Sequence, residues 1–182
     1  MSDVTRLLDA AAAGEPRAAD ELLPLVYDEL RKLASARLAA EKPGQTLEPT
    51  ALVHEAFLRL VGDHQFAGRQ HFFRVAAGAM RRILVDRARW KARDRHGGDR
   101  ERVPLEDVEA AASDKDLLAL DEALQRFSAI DPVKAELVQL RCFAGFSEEE
   151  AAAALGISRA TASRYWAYAR AWLIDALDTN SE

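Results

Sequence analysis

His54-Glu55, with Leu58 and Arg59 close behind, is the first stretch of this chain whose residue types suggest catalysis. A zinc site of the H-E-x-x-H kind needs a second histidine one helical turn beyond the first, and Leu58 stands there instead. His64, His71 and His96 are scattered over loop and helix-end positions, and the single cysteine, Cys142, supplies no thiolate ligand set and reads as a buried thiol. No Gly-rich phosphate cradle is present, and Ser, His and Asp form no nucleophile motif. The expectation is a protein that is not an enzyme, with no catalytic residue, no metal, no cofactor and no small-molecule substrate.

The arginines offer a different chemistry. The formal net charge is -5, yet between residues 69 and 100 ten arginines and lysines face three aspartates, and an acidic run from Glu101 to Asp116 follows at once. Segregated charge of this kind gives an acidic protein a local positive field. Arg74, Arg81, Arg82, Arg89 and Arg93 gather on one side of a helical projection, and their planar fork-shaped donors suit phosphates. Phe66, His71, Phe72 and Phe73 lie among these arginines, the mixture that stacks unpaired bases along a charged groove. Phe73 reads as core, while Phe66 and Phe72 stay open between packing and stacking.

Residues 146–166, FSEEEAAAALGISRATASRYW, have a helix-turn-helix grammar. Ser147 with Glu150 makes a capping box, and Phe146 before it can act as a hydrophobic staple. Small alanines allow close helix approach, Gly156 can take the left-handed turn, and Ser158 caps the next helix. In that helix Ala162, Trp166, Ala169 and Leu173 share one face. The opposite face carries Ala160, Ser163, Arg164 and Ala167, with Arg159 and Thr161 in the first turn. It is slim, polar and positive, as entry into a DNA major groove requires.

The elements that must position these groups all read as helices, because apolar residues recur at three and four and never in sustained alternation. Helices are expected near Val4 to Ala13, from Pro16 or Asp20 to Ala40, and from Pro49 or Thr50 to Val61. Further helices are expected over His71 to Asp94, Leu117 to Ile130 and Pro132 to Ala144, before the helix-turn-helix pair. Pro24 fits only in a first turn, and Glu29, Arg31, Lys32 and Arg37 lie mostly outside the apolar stripe of the second helix. Residues 96–115, with paired glycines and a proline, read as a flexible linker between a domain over 1–95 and a second, with its own core, over 116–182. The opening MSDVTRLLDAAAAGEPR lacks a basic start with an apolar core, and no long apolar run follows, so the expectation is a cytoplasmic protein without membrane contact.

Together these segments resemble a bacterial sigma factor of the extracytoplasmic-function (ECF) class. LEPTALVHEAFLRLV resembles the family's region 2.2, HFFRVAAGAMRRILVDRARWKARD its regions 2.3 and 2.4, and GFSEEEAAAALGISRATASRYWAYARAWL its region 4.2. The strings TALVHEAFLRL and ARAWL place the likeness nearest the planctomycete-type ECF-like subgroup.

The resemblance implies a two-domain, all-α initiation factor that binds core RNA polymerase and promoter DNA, with an anti-sigma protein as a further partner left open. It implies polymerase contact through His54, Glu55 and Arg59. It implies capture of the non-template strand of the minus-ten element by Phe66, Arg69, Phe72, Arg74, Arg81, Arg82 and Arg89, and reading of the minus-35 element by Ser158, Arg159, Thr161, Ser163 and Arg164. The chain departs from the family pattern at Ala162 and Ser163, where valine and lysine are common, and at Tyr165, where a polar residue is. Two readings compete with this one: a freestanding helix-turn-helix regulator that binds DNA without polymerase, and an all-helical enzyme built around His54-Glu55.

Overall fold

The computed structural model describes residues 3–15, 17–39, 47–61, 66–94 and 114–179. Among these every regular element is helical, in line with the all-α expectation. The elements are α1 (Asp3–Ala12), α2 (Ala18–Ala39), α3 (Pro49–Val61), α4 (Arg69–Asp94), α5 (Asp114–Ile130), α6 (Pro132–Val138), a π-helical segment Gln139–Phe143, α7 (Glu148–Leu155) and α8 (Arg159–Thr179). Most of the expected linker, as well as Gly62, His64 and His96, lies outside the described residues.

The apolar periodicity that defines each helix also decides what it buries. On α2, Val26, Leu30, Leu33 and Ala34 turn inward, and on α3 Leu52, Val53, Ala56 and Leu60 do the same. The α4 stripe of Phe73, Ala76, Ala77, Met80 and Leu84 is buried as its spacing requires. So too are Phe72, Ala79, Ile83, Val85 and Ala88 on its flanks, so α4 is covered over far more than one stripe. It packs on α3 from one side and on α5, the π-helical segment and α7 from the other.

This placement of α4 joins the two halves of the sequence. One apolar cluster takes the inward residues of α1 to α4 together with Leu137, Leu140, Ala144, Phe146, Ala151, Ala152, Ala154 and Ala162. A second gathers Val85 with α5, Phe143 and the inner side of α8, including Leu120, Leu124, Phe127, Ala169 and Leu173. The border between the clusters does not follow the linker. Phe146, placed in sequence as a staple for α7, is buried with its ring 6.1 Å from that of Phe73 on α4.

Gly145 shows how tight this seam is. Its φ is +75°, and a Cβ there would collide with the Leu33 carbonyl oxygen and come within 2.8 Å of the Arg37 nitrogen on α2. Only glycine permits both the backbone conformation and the approach. The loop at Gly145 therefore lies against the C-terminal turns of α2, next to Arg37, which is 2% exposed and not solvent-facing as its position outside the apolar stripe suggests.

Local signals fare differently along the chain. The Ser147 and Glu150 capping box is formed reciprocally, at 3.2 and 2.8 Å, and Gly156 ends α7 with φ +66°. Pro24, by contrast, sits inside α2 and not in its first turn. Both Pro24 and Asp20, whose carbonyl loses its intrahelical donor, are exposed, so water can satisfy that oxygen.

Candidate nucleic-acid interface

The turn between α7 and α8 builds the first surface. Ser158 Oγ accepts from the Thr161 amide at 3.1 Å and donates to Thr161 Oγ1 at 2.9 Å, which fixes the first turn of α8. Ala162, Ala169 and Leu173 point into the cores. Ala160, Ser163, Arg164 and Ala167 are exposed on the far side, as expected from spacing. Among the described residues the Arg164 side chain meets only Thr161 Oγ1, at 3.4 Å. Arg159 is 73% exposed and reaches Glu148 at 3.7 Å, an edge contact that water screens strongly. This face can therefore present two guanidiniums and a row of small side chains to a groove, with the backbone free to come close.

The second surface lies on α4 and is differently arranged. With about 100° of rotation per residue, Arg74 and Arg81 fall at the margin where α4 meets α5 and α6, while Arg82, Arg89 and Arg93 point further outward. Arg81 is largely buried: Nε lies 2.7 Å and NH2 2.6 Å from Asp121 Oδ1, NH1 lies 3.2 Å from Gln139 Oε1, and the guanidinium covers the Phe143 ring. Arg89 approaches the other oxygen of Asp121 at 3.5 Å, and Arg74 approaches Glu136 at 3.4 Å. Arg69 is held by Glu29 of α2 at 2.5 to 2.6 Å and lies over the Phe73 ring. Arg82 is exposed and has no ion-pair partner among the described residues.

Phe66 and Phe72, open in sequence between packing and stacking, are packed. Their rings meet edge to face at 5.2 Å, Phe72 meets Phe73 at 5.3 Å, and Phe72 is 1% exposed. In this arrangement neither ring has a face free for a base. His71 beside them accepts the Ala67 amide through Nδ1 at 3.0 Å, an ordering contact for the start of α4.

His54, Glu55 and Arg59 share the outer side of α3. Glu55 and Arg59 pair at 3.1 Å, Arg59 also reaches Asp86 at 3.8 Å, and the His54 ring lies 5.9 Å from Tyr27. The same surface carries Leu58, at 76% the most exposed large apolar side chain described. Sequence reasoning saw Leu58 only as a missing metal ligand, although its place one turn after His54 and outside the Val53, Ala56, Leu60 stripe marks it as outward. Trp90, 66% exposed near the end of α4, was missed in the same way. Asp121 was missed for a different reason, since no local pattern separates a buried aspartate from a solvated one.

No described helix is long and apolar enough to cross a membrane. No curated protein and no solved structure matches the chain. The family model of the ECF sigma factor matches residues 1–179, nearly the whole sequence. The chain belongs to the ECF sigma factor family, and is thus a sigma factor: a DNA-binding protein that works with RNA polymerase in transcription initiation.

Proposed function

We propose that this factor divides promoter recognition between its two halves. Residues 116–182 read the duplex of the minus-35 element through Ser158, Arg159, Thr161, Ser163 and Arg164. Residues 1–95 hold the non-template strand of the minus-ten element and so help melt it, with Arg69, Arg74, Arg81, Arg82 and Arg89 as the phosphate contacts. Residues 96–115 tether the two. His54, Glu55 and Arg59, joined by Leu58, dock on the polymerase. The protein works in the cytoplasm, belongs to the planctomycete-type subgroup, and can be restrained by an anti-sigma protein.

The observation that carries this reading is the exposed Arg164 face of α8, where Arg164 meets only Thr161 among the described residues and Arg159 makes one long, screened contact with Glu148, behind a formed capping box and a left-handed Gly156 turn. Bidentate contact from such an arginine to a guanine edge discriminates bases by about 1–3 kcal/mol. With Phe66 and Phe72 packed, strand capture through aromatic faces requires a rearrangement of the segment around residue 66, and the arginines are the groups on which the minus-ten proposal chiefly rests. An acidic chain gains counterion release only from such local patches, so polymerase supplies the remaining affinity.

The test is transcription reconstituted from purified core polymerase, this protein and a genomic library of promoters. Specific start sites dependent on the protein are the expected result. Failure to bind core polymerase would remove the proposal, and tight palindrome binding without polymerase would favour a freestanding regulator.

A further inference from the structure

We infer that Trp90, near the C-terminal end of α4, is a stacking platform for an unpaired base of the melted DNA strand. The inference rests on the reading of α4 as the minus-ten face, and it supplies the aromatic contact which that face lacks while Phe66 and Phe72 pack together. Of the three tryptophans in the chain, two have their rings engaged. The Arg141 guanidinium covers Trp166 at 3.9 Å, and Trp172 stacks on Phe127 at 4.8 Å. Trp90 is 66% exposed, and among the described residues no ring or cation covers it. The C-terminal half packs on another side of α4 here, since the next residue, Lys91, turns towards α5 and pairs with Asp114 at 3.7 Å.

What surrounds the indole decides its partner. With about 100° of rotation per residue, Arg82, Arg89 and Arg93 fall within about 100° of Trp90 around the axis, over about 16 Å of its length. All three are exposed, and Arg82 and Arg93 have no carboxylate partner among the described residues. Asp86, the carboxylate on this side of α4 between residues 82 and 93, is met by Arg59 from α3 at 3.8 Å, which blunts its repulsion of a phosphate. An exposed apolar side chain by itself says little. An aromatic face beside guanidiniums with room for a new partner is the combination that holds single-stranded nucleic acid: the cations follow the backbone while the ring takes a base, whatever its identity. Paired bases keep their faces inside the stack, so the platform favours melted over duplex DNA. Trp90, Arg82 and Arg93 are open as the chain stands, so a strand can engage this end of α4 without the rearrangement that Phe66 and Phe72 would need.

The full-length chain tests this with a short single-stranded DNA of mixed sequence, at low ionic strength, where phosphate contacts are strongest. Two quantities are measured: the tryptophan emission on adding unlabelled strand, and the affinity for the labelled strand by fluorescence anisotropy. The single strand should quench the emission of the parent, and the same sequence as a duplex should not. The quench should be absent from Trp90→Phe, which retains Trp166 and Trp172. Trp90→Ala should bind the strand about tenfold more weakly, with Trp90→Phe in between. Equal affinities for the parent and Trp90→Ala, together with a loss in Arg82→Gln with Arg93→Gln, overturn the platform and leave α4 as a DNA face. If the arginine variant binds as the parent does, or the parent binds no strand, the reading of α4 falls and the platform with it. Unchanged strand binding by Trp90→Ala with weaker competition for core polymerase assigns the ring to the docking surface and overturns the proposal. Should Trp90→Ala fail to fold, Trp90→Phe decides, and a quench there equal to that of the parent overturns the platform.

Discussion

Arg81 on α4 and Asp121 on α5 lie forty residues apart in the chain and 2.6 to 2.7 Å apart in space, with the carboxylate almost wholly buried. Removing one partner of such a pair strands the other without water, whereas replacing both by apolar groups is often neutral. Arg81→Met should therefore cost about 3 kcal/mol, the low end of the range for buried pairs, because Arg89 and Gln125 still reach Asp121. Arg81→Met with Asp121→Leu should recover most of it. Urea unfolding of the three proteins gives the comparison, and a single-variant loss below about 1 kcal/mol would show that the pair does not hold the halves together.

Gly145 and Gly14 form a matched pair for the seam against α2. Both have positive φ, at +75° and +83°, but a side chain at Gly14 meets nothing within 4 Å while one at Gly145 meets the α2 backbone. Gly14→Ala should cost about 1–2 kcal/mol from the left-handed backbone alone. Gly145→Ala should cost clearly more in thermal or urea unfolding, and equal costs would mean that the loop can lift off α2 freely.

Asp131 caps α6, accepting the Lys134 amide at 3.1 Å while the Lys134 ammonium hydrogen-bonds the same carboxylate. The side-chain bond from Lys134, then the amide bond, hold the Asp131 pKa below its usual 3.8. A carboxylate with a lowered folded-state pKa stabilises the fold above its unfolded value and loses that contribution as pH falls through the folded one. Asp131→Ala should cost about 1 kcal/mol near pH 7. The gap between variant and parent should close only below pH 3.8. A gap that closes near pH 6 would point to some other group.

Arg164→Ala should weaken binding to the minus-35 duplex by about 1–3 kcal/mol and leave core polymerase binding unchanged. The residue is exposed and its one described contact, with Thr161, is long, so stability should move by less than about 0.5 kcal/mol. Transcription from promoters with and without the upstream element separates the two effects, and equal loss on both would contradict the assignment.

Leu58→Asp should do the reverse, reducing competition for core polymerase while sparing duplex binding by α8. A large, isolated apolar side chain on the polar surface of α3 contributes little to the fold and much to a partner that covers it. Glu55→Ala should weaken the same association less, since its exposed pair with Arg59 is screened. If Leu58→Asp competes for core as well as the parent does, the outer face of α3 is not the docking surface.

The sequence by itself determined the helices, the inward stripes of α2, α3 and α4, the capping box at Ser147, the turn at Gly156 and the outward face of α8. Each of these is set by spacing or by backbone chemistry within a few residues, so no distant partner is needed to decide it. Tertiary structure alone decided that Phe66 and Phe72 pack together, that Arg37 is buried, and that Arg74, Arg81 and Arg89 meet carboxylates from α5 and α6. Periodicity shows which side of a helix is apolar, but an amphipathic pattern cannot reveal that a polar flank will be buried too. That happens when an element far along the chain brings the opposite charge, because ion pairing, unlike helix formation, depends on distance in space and leaves no trace in local spacing.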